Sequence, residues 1–266
     1  MKYQLDHDLH IHSLISNCSG DSEQTAENIL RYAKAHGLKQ ICLTDHFWDE
    51  SVPGASRWYR EYHKFTDLIR ALPLPQDEGV EFLFGCETDM DKNGVIGISK
   101  ERFDAFDFII VPTTHLHMKG FTVTESDHGN IDRLARLWVQ RFDTLLTAEL
   151  PFGKVGLAHP CTACIAPENK LYLAVLKRIP QGEMYRLFEG AAKLGVGIEL
   201  NGSDIGFTES ERDTVLRPLL IAKECRCKFY YGSDAHKPRE FAVISHFDRA
   251  AELLGLTEDD KFVIKR

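Results

Sequence analysis

Imidazole and carboxylate side chains gather in six short motifs of this chain, and each motif closes an apolar run. They are Asp8-Leu9-His10-Ile11-His12, Thr44-Asp45-His46, Gly85-Cys86-Glu87, Thr114-His115, Ala158-His159-Pro160 and Gly232-Ser233-Asp234-Ala235-His236. These are the donors that Zn, Mn and Fe accept in common. Scattered, they would mean little. At the ends of successive strand-like segments they can converge on one rim of a barrel, which is the pattern of a metal-dependent hydrolase.

The periodicity supports that reading. Strand-like runs cover residues 4–11, 40–44, 81–85, 106–113, 154–158, 195–200 and 227–232, and Phe108-Ile109-Ile110-Val111 is apolar throughout. Parallel strands covered on both faces read this way. Between them lie helical patterns at 25–37, 58–71, 127–148, 182–194, 209–224 and 239–253, with Gly37 as a stop signal for the first. About seven βα units point to a parallel barrel, and no repeat or linker divides residues 1–266 into more than one domain. Every metal-type motif falls at the carboxyl end of its strand, where barrels of this kind carry their active sites.

Composition narrows the class. The net charge of −8 argues against nucleic acid or an anionic membrane as partner, while a small anionic substrate stays open because bound cations reverse the local sign. No apolar stretch is long enough to span a bilayer, and the start lacks the pattern of a signal peptide. Seven cysteines without an export signal point to a reducing cytosol, so the expectation is a cytoplasmic enzyme.

Local geometry adds expectations. Alternation along a strand puts His10 and His12 on one side with Asp8 beneath them, and Asp234 can pair with His236 in the same way. Asp8 and Asp45 are expected to hold and orient metal-bound imidazoles. Glu199 and Asn201 share a face of the sixth strand and are placed at the barrel mouth. Cys161-Thr162-Ala163-Cys164 with Cys225-Arg226-Cys227 offers a four-thiol Zn site as an alternative use of the cysteines. His36, His63, His128 and His246 fall on helical segments and are read as exposed or satisfied.

Taken together, the six motifs resemble the polymerase and histidinol phosphatase (PHP) superfamily, from Asp8 to His236, with poorer correspondence over residues 47–78 and 118–151. Phe84-Gly85-Cys86-Glu87-Thr88-Asp89, Gly197-Ile198-Glu199-Leu200-Asn201 and Gly232-Ser233-Asp234-Ala235-His236-Lys237-Pro238 are similar to its histidinol-phosphatase-like branch. The resemblance implies an α/β distorted (β/α)7 TIM-like barrel holding two or three divalent metals (Zn, Mn or Fe). It implies His10, His12, His46, Glu87, His115, His159, Asp234 and His236 as ligands. Cys18 stands where family members often carry a further His or Asp. A thiolate there can bind Zn or Fe, Asp21 can swing in instead, or one metal is missing.

Paired metals acidify a bound water and clamp phosphoryl oxygens, so the expected activity is a phosphoester hydrolase, with His10, His12, His46, Asp234 and His236 at the reacting centre. The expected substrate is a small phosphorylated metabolite, histidinol phosphate among the candidates, met by His117, Lys119 and Lys237. Arg57, Arg60 and Arg239 are further phosphate contacts to consider. The segment after Asn201 carries Asp204 rather than the arginine expected of a histidinol-phosphate enzyme. The alternatives are a nuclease or phosphodiesterase of the same superfamily, and a non-catalytic barrel that binds metal or ligand. An amidohydrolase barrel also opens with His-x-His, but Thr-Asp-His and Asp-x-His favour PHP.

Overall fold

Strands buried on both faces require helical crossovers between them, and the chain is built this way. The computed structural model describes residues 1–265. Among these residues the strands are β1 (His7–Ile11), β2 (Gln40–Leu43), β3 (His46–Phe47), β4 (Glu81–Thr88), β5 (Phe108–Val111), β6 (Val155–Leu157), β7 (Gly197–Asn201) and β8 (Lys228–Gly232). All pair in parallel, in the order β1-β2-β4-β5-β6-β7-β8. The short β3 pairs with the far half of β4, His46 opposite Glu87, so β2 and β3 are two halves of one stave broken at Thr44 and Asp45. β1 meets the chain just beyond β8, where Ile11 bridges Ala235 and the Asp234 amide donates to the His10 carbonyl at 2.7 Å. The result is the expected seven-stave distorted barrel, a single α/β domain.

Around it run α1 (Ala26–Ala35), α2 (Arg57–Tyr62), α3 (Phe65–Leu68), α4 (Ile131–Thr147), α5 (Leu171–Arg178), α6 (Gln181–Leu194), α7 (Arg212–Glu224) and α8 (Phe247–Leu254). Local signals set several ends: the Thr25 hydroxyl accepts from the Asn28 amide to start α1, and Asn130 does the same for α4. Two expected helices divide. Residues 58–71 break at His63, whose carbonyl accepts from the Trp48 amide at 2.9 Å and whose ring turns into the barrel mouth. The pattern at 239–253 opens as a 3-10 run, Pro238–His246, before α8. The sequence reading did not anticipate α5.

The core has two layers. Strand and helix side chains pack outside the barrel, while Leu9, Cys42, Leu83, Phe108, Ile110, Ala158 and Tyr230 fill its interior, with Phe262 from the C-terminal segment closing the base. A register shift in β1 between Asp8 and Ile11 lets Leu9 join the inner cluster and Ile11 the outer. No helix among the described residues is long and apolar enough to cross a membrane.

One buried cation braces the loops above the strands. Arg141 of α4 donates from Nε to the Thr113 carbonyl (2.8 Å), from Nη2 to Met90 (2.8 Å) and from Nη1 to Asp91 (3.0 Å) and Thr122 (3.3 Å). Burial lowers its pKa to about 10, which leaves it charged at neutral pH. Replacing it strands several buried acceptors, each worth about 1–3 kcal/mol. Arg141→Met is therefore expected to lower the urea midpoint by the equivalent of about 3 kcal/mol or more, and an unchanged midpoint would show that the loops do not depend on it.

Candidate metal centre

β4 runs to Thr88, past the expected end, and so carries Glu87 to the barrel mouth as part of a strand. There a single buried carboxylate meets five imidazoles. Its Oε2 lies 2.9 Å from His46 Nδ1, 3.4 Å from His12 Nε2 and 3.7 Å from His10 Nε2, and its Oε1 lies 3.2 Å from His159 Nε2 and 3.9 Å from His115 Nε2. Asp234 Oδ1 adds contacts of 3.2 Å to His12 and 3.4 Å to His10, and 3.7 Å to Nδ1 of His236. Three groups with ligand-like spacing result: His12, His46 and His236; His10, His12 and Asp234; Glu87, His115 and His159. The eight ligands expected from the motifs thus all converge, with His12 common to two groups.

The donor set fits divalent metal. His10 Nε2 and His12 Nε2 face one another at 3.0 Å, and His46 Nδ1 is buried with no hydrogen-bond partner despite its nearness to Glu87. Nitrogen lone pairs aimed together beside carboxylate oxygens are what a shared cation requires. Without one, protons hold the cluster. Burial opposes charge on four of the imidazoles, but the anionic neighbours outweigh it: His10 and His46 rise well above the ordinary range, His236 rises, and His159 reaches about 9. Burial likewise opposes charge on Glu87 and Asp234, which the facing imidazoles nonetheless hold well below the usual carboxylate range.

A further layer fixes the rings. Glu199 of β7 sits 2.7 Å from His10 Nδ1 and accepts from the His159 amide at 2.5 Å. This approach needs a glycine at 232, since a Cβ there would lie 2.0 Å from Glu199 Oε1 and 2.5 Å from His10 Cβ. Asp89 Oδ1 is 2.7 Å from His115 Nδ1, and its Oδ2 accepts from the Tyr59 hydroxyl. Thr114 Oγ1 is 2.9 Å from His159 Nδ1, and Asn201 Nδ2 donates to Asp234 Oδ2 at 3.4 Å. His159 (φ +29°) and Asp234 (φ +55°) both hold left-handed backbone, a strain found where a site dictates direction.

Asp45 and Asp8 act less directly than expected. Asp45 accepts from the Ser13 amide (2.7 Å) and hydroxyl (2.7 Å) and from the Ser16 hydroxyl (2.6 Å), and Ser16 Oγ is 3.1 Å from His12 Nδ1, so a serine relays its effect. Asp8 accepts from the His10 backbone amide at 3.4 Å rather than from a ligand ring. After the shift in β1 it takes the Tyr32 hydroxyl of α1 (3.0 Å) and the Ser233 amide (2.9 Å), and burial raises it to about 7.

Cys18 is exposed overall and borders the cavity over the centre. Burial pushes the thiol up, and hydrogen bonds with His236 and His46 outweigh that and bring it down to about 5. Asp21, its possible substitute, accepts instead from the Glu23 amide at 3.0 Å. Cys161, Cys225 and Cys227 donate to different carbonyls, those of Val215, Tyr185 and Phe188, and no thiol cluster forms among the described residues.

Above the ligands opens a cavity of about 260 Å³, with Cys18, His46, Glu87, His115, Asp234 and His236 in its lining. Its walls bring in Trp58, Tyr59, His63, His117 and Met118. His63 was read as an ordinary helical histidine, but it is buried here, and burial together with the charge of His46 lowers it to about 3. His117 lies where expected, lowered to about 4 by burial and the charge of His115. Lys119 and Lys237 do not line the cavity, and Lys119 lies 3.8 Å from Glu125 instead. Arg57 pairs with Glu61 at 2.8 Å, Arg60 lines a separate surface pocket, and Arg239 lies in a groove against α1. Asp204, raised to about 7 by burial, is outside the lining as well. Among the described residues no lysine or arginine lines the cavity. A larger cavity of about 740 Å³ beyond the first loop contains none of the ligands.

The sequence reading missed Asp89, Tyr59 and the part played by His63. Glu87-x-Asp89 on an extended strand was a usable signal for the first, whereas the other two were masked by an apparently continuous helix.

A protein of Caldanaerobacter subterraneus subsp. tengcongensis named a probable phosphatase is 27% identical over 259 residues, covering 96% of this chain and 84% of its own length. A probable phosphatase of Caldicellulosiruptor saccharolyticus is 25% identical, with 90% and 83% covered. The fold is similar to that of histidinol phosphate phosphatase from Lactococcus lactis subsp. lactis, solved with Zn, L-histidinol and phosphate (TM-score 0.61, 18% identity, 96% of this chain and 95% of that one). The PHP domain pattern itself matches residues 8–203, most of the chain and five of its six motifs, and the chain belongs to the PHP domain family.

Proposed function

We propose that this chain is a metal-dependent phosphomonoesterase acting on a small phosphorylated metabolite, histidinol phosphate being one candidate. The carrying observation is the meeting of three ligand groups around Glu87, with His12 shared by two of them, beneath a cavity lined by His46, Glu87, His115, Asp234 and His236. The names of the relatives support a phosphatase, and the ligands of the Lactococcus structure support a small monoester and zinc. Two or three ions of Zn, Mn or Fe would be held by His10, His12, His46, Glu87, His115, His159, Asp234 and His236. Cys18, which lines the cavity with His46 and His236 but falls outside the three ligand-spaced groups, would add a thiolate donor there and so favour Zn or Fe over Mn.

Bound there, the ions supply an acidified water and neutralise charge on the phosphoryl oxygens. The chain supplies the geometry. Glu199, Asp89 and Thr114 turn the rings of His10, His115 and His159 to the centre, while Ser16 does so for His12. Arg141 holds the carbonyls of Met90 and Asp91 beside Asp89, and so keeps the loop after β4 in place. With no lysine or arginine in the lining among the described residues, phosphate recognition falls to the metal centre, and the cavity offers no basic track of the kind that binds a nucleic-acid backbone.

His10→Ala or Asp234→Ala is expected to cut phosphate release at least about 100-fold and to lower metal content, with the circular dichroism spectrum unchanged. Full activity in either variant refutes the site. Glu199→Gln, which weakens the hold on His10, is expected to lower metal affinity about 10- to 100-fold.

Metal binding must displace the protons that the raised imidazoles carry at neutral pH. Apparent Zn affinity should therefore climb as pH rises from 6 towards about 9, the value reached by His159, with protons released into the buffer. Calorimetry in buffers of different ionisation enthalpy measures this. A pH-independent affinity with no proton release would contradict the protonated metal-free cluster.

A further inference from the structure

The walls of the cavity differ in kind from its floor. One part is formed by Trp58 of α2 and His63 just after it, and an adjoining part by His117 and Met118. The first part is firmly built. The Tyr59 ring packs 4.3 Å from His63 and 4.5 Å from Phe121, its hydroxyl bonds to Asp89, and the His63 carbonyl accepts from the Trp48 amide. Trp58 stands edge-on to His63 at 6.4 Å and leaves 55% of its surface exposed at the rim. An indole left bare at the mouth of a cavity is available to a ligand.

Charge and size restrict that ligand further. Glu87, Asp89 and Asp234 line the cavity, and no lysine or arginine does among the described residues. A second anionic group on the substrate would find no lysine or arginine to pair with beyond the metal centre among the described residues. The volume of about 260 Å³ is below the roughly 300–1,000 Å³ of pockets that enclose drug-sized molecules.

We infer that Trp58, His63, His117 and Met118 form the subsite for the organic part of the substrate, selective for a small, flat group that carries no negative charge beyond its one phosphate. This rests on the phosphomonoesterase reading and deepens it. Trp58 is the specificity-determining residue, since it can stack on the ring of a substrate without holding any metal ligand. Polyphosphates, sugar bisphosphates and phosphorylated carboxylic acids are excluded by the same lining.

The test compares three primary alkyl monoesters whose leaving alkoxides are intrinsically alike: phenethyl phosphate, cyclohexylethyl phosphate and para-carboxyphenethyl phosphate. With the metal-loaded full chain, kcat/KM is expected to favour phenethyl phosphate over each of the others by roughly tenfold, the scale of one aromatic contact. Trp58→Ala, an exposed position that the core does not need, should shrink the preference over the cyclohexyl ester to within about threefold, mainly through KM. Leu253→Ala removes an exposed apolar side chain of α8, outside the cavity lining, and should keep the preference. Equal kcat/KM for the three esters, or a preference that survives Trp58→Ala, overturns the subsite while leaving the phosphatase reading intact. Hydrolysis of none of them contradicts the phosphatase reading and this inference with it.

Discussion

Burying carboxylates and imidazoles side by side is costly unless each finds a partner, because an ion moved out of water loses several kcal/mol that only close, well-oriented partners restore. The mouth of this barrel concentrates that problem at Glu87, a carboxylate 1% exposed among five imidazoles. Protons meet the requirement in the metal-free chain, and divalent cations meet it better, since they bind several donors at once. Much of the surrounding structure answers to this one demand. β4 extends to deliver Glu87, glycine at 232 clears the way for Glu199, and the backbone at His159 and Asp234 takes up left-handed angles to direct their side chains inward.

The parts of this that could be read from sequence were those fixed by short-range pattern. Apolar runs ending in His, Glu or Asp gave the staves, their parallel sense and the convergence of eight side chains. What escaped depended on contacts distant in sequence. Asp8 is expected to orient a ligand ring, but its carboxylate accepts from the Tyr32 hydroxyl and the His10 amide instead. The pattern at 58–71 looked like one helix because its apolar spacing is helical, whereas the Trp48 amide claims the His63 carbonyl and the run breaks there. That break is what brings His63 to the cavity. The expected roles of Lys119 and Lys237 rested only on their position after strand ends, and the loops carry them away from the lining.

The site therefore has two halves with different origins. Its floor comes from strand ends, which the barrel holds rigidly and which the family motifs describe. One wall comes from α2 and its surroundings, a region with poorer resemblance to the family, yet it is tied to the floor through Tyr59, Asp89 and His115. On the proposed function, a change in that wall alters which monoester is accepted without disturbing the proposed ligands, provided the tyrosine–aspartate link is kept.

The claim on which everything else rests is that these side chains form one polynuclear metal centre. Anomalous diffraction at the zinc edge, from crystals of the zinc-loaded protein, addresses it directly. The account predicts two or three peaks among His10, His12, His46, Glu87, His115, His159, Asp234 and His236, with neighbours roughly 3.5–4 Å apart. A single peak, or peaks bound elsewhere on the chain, would contradict it.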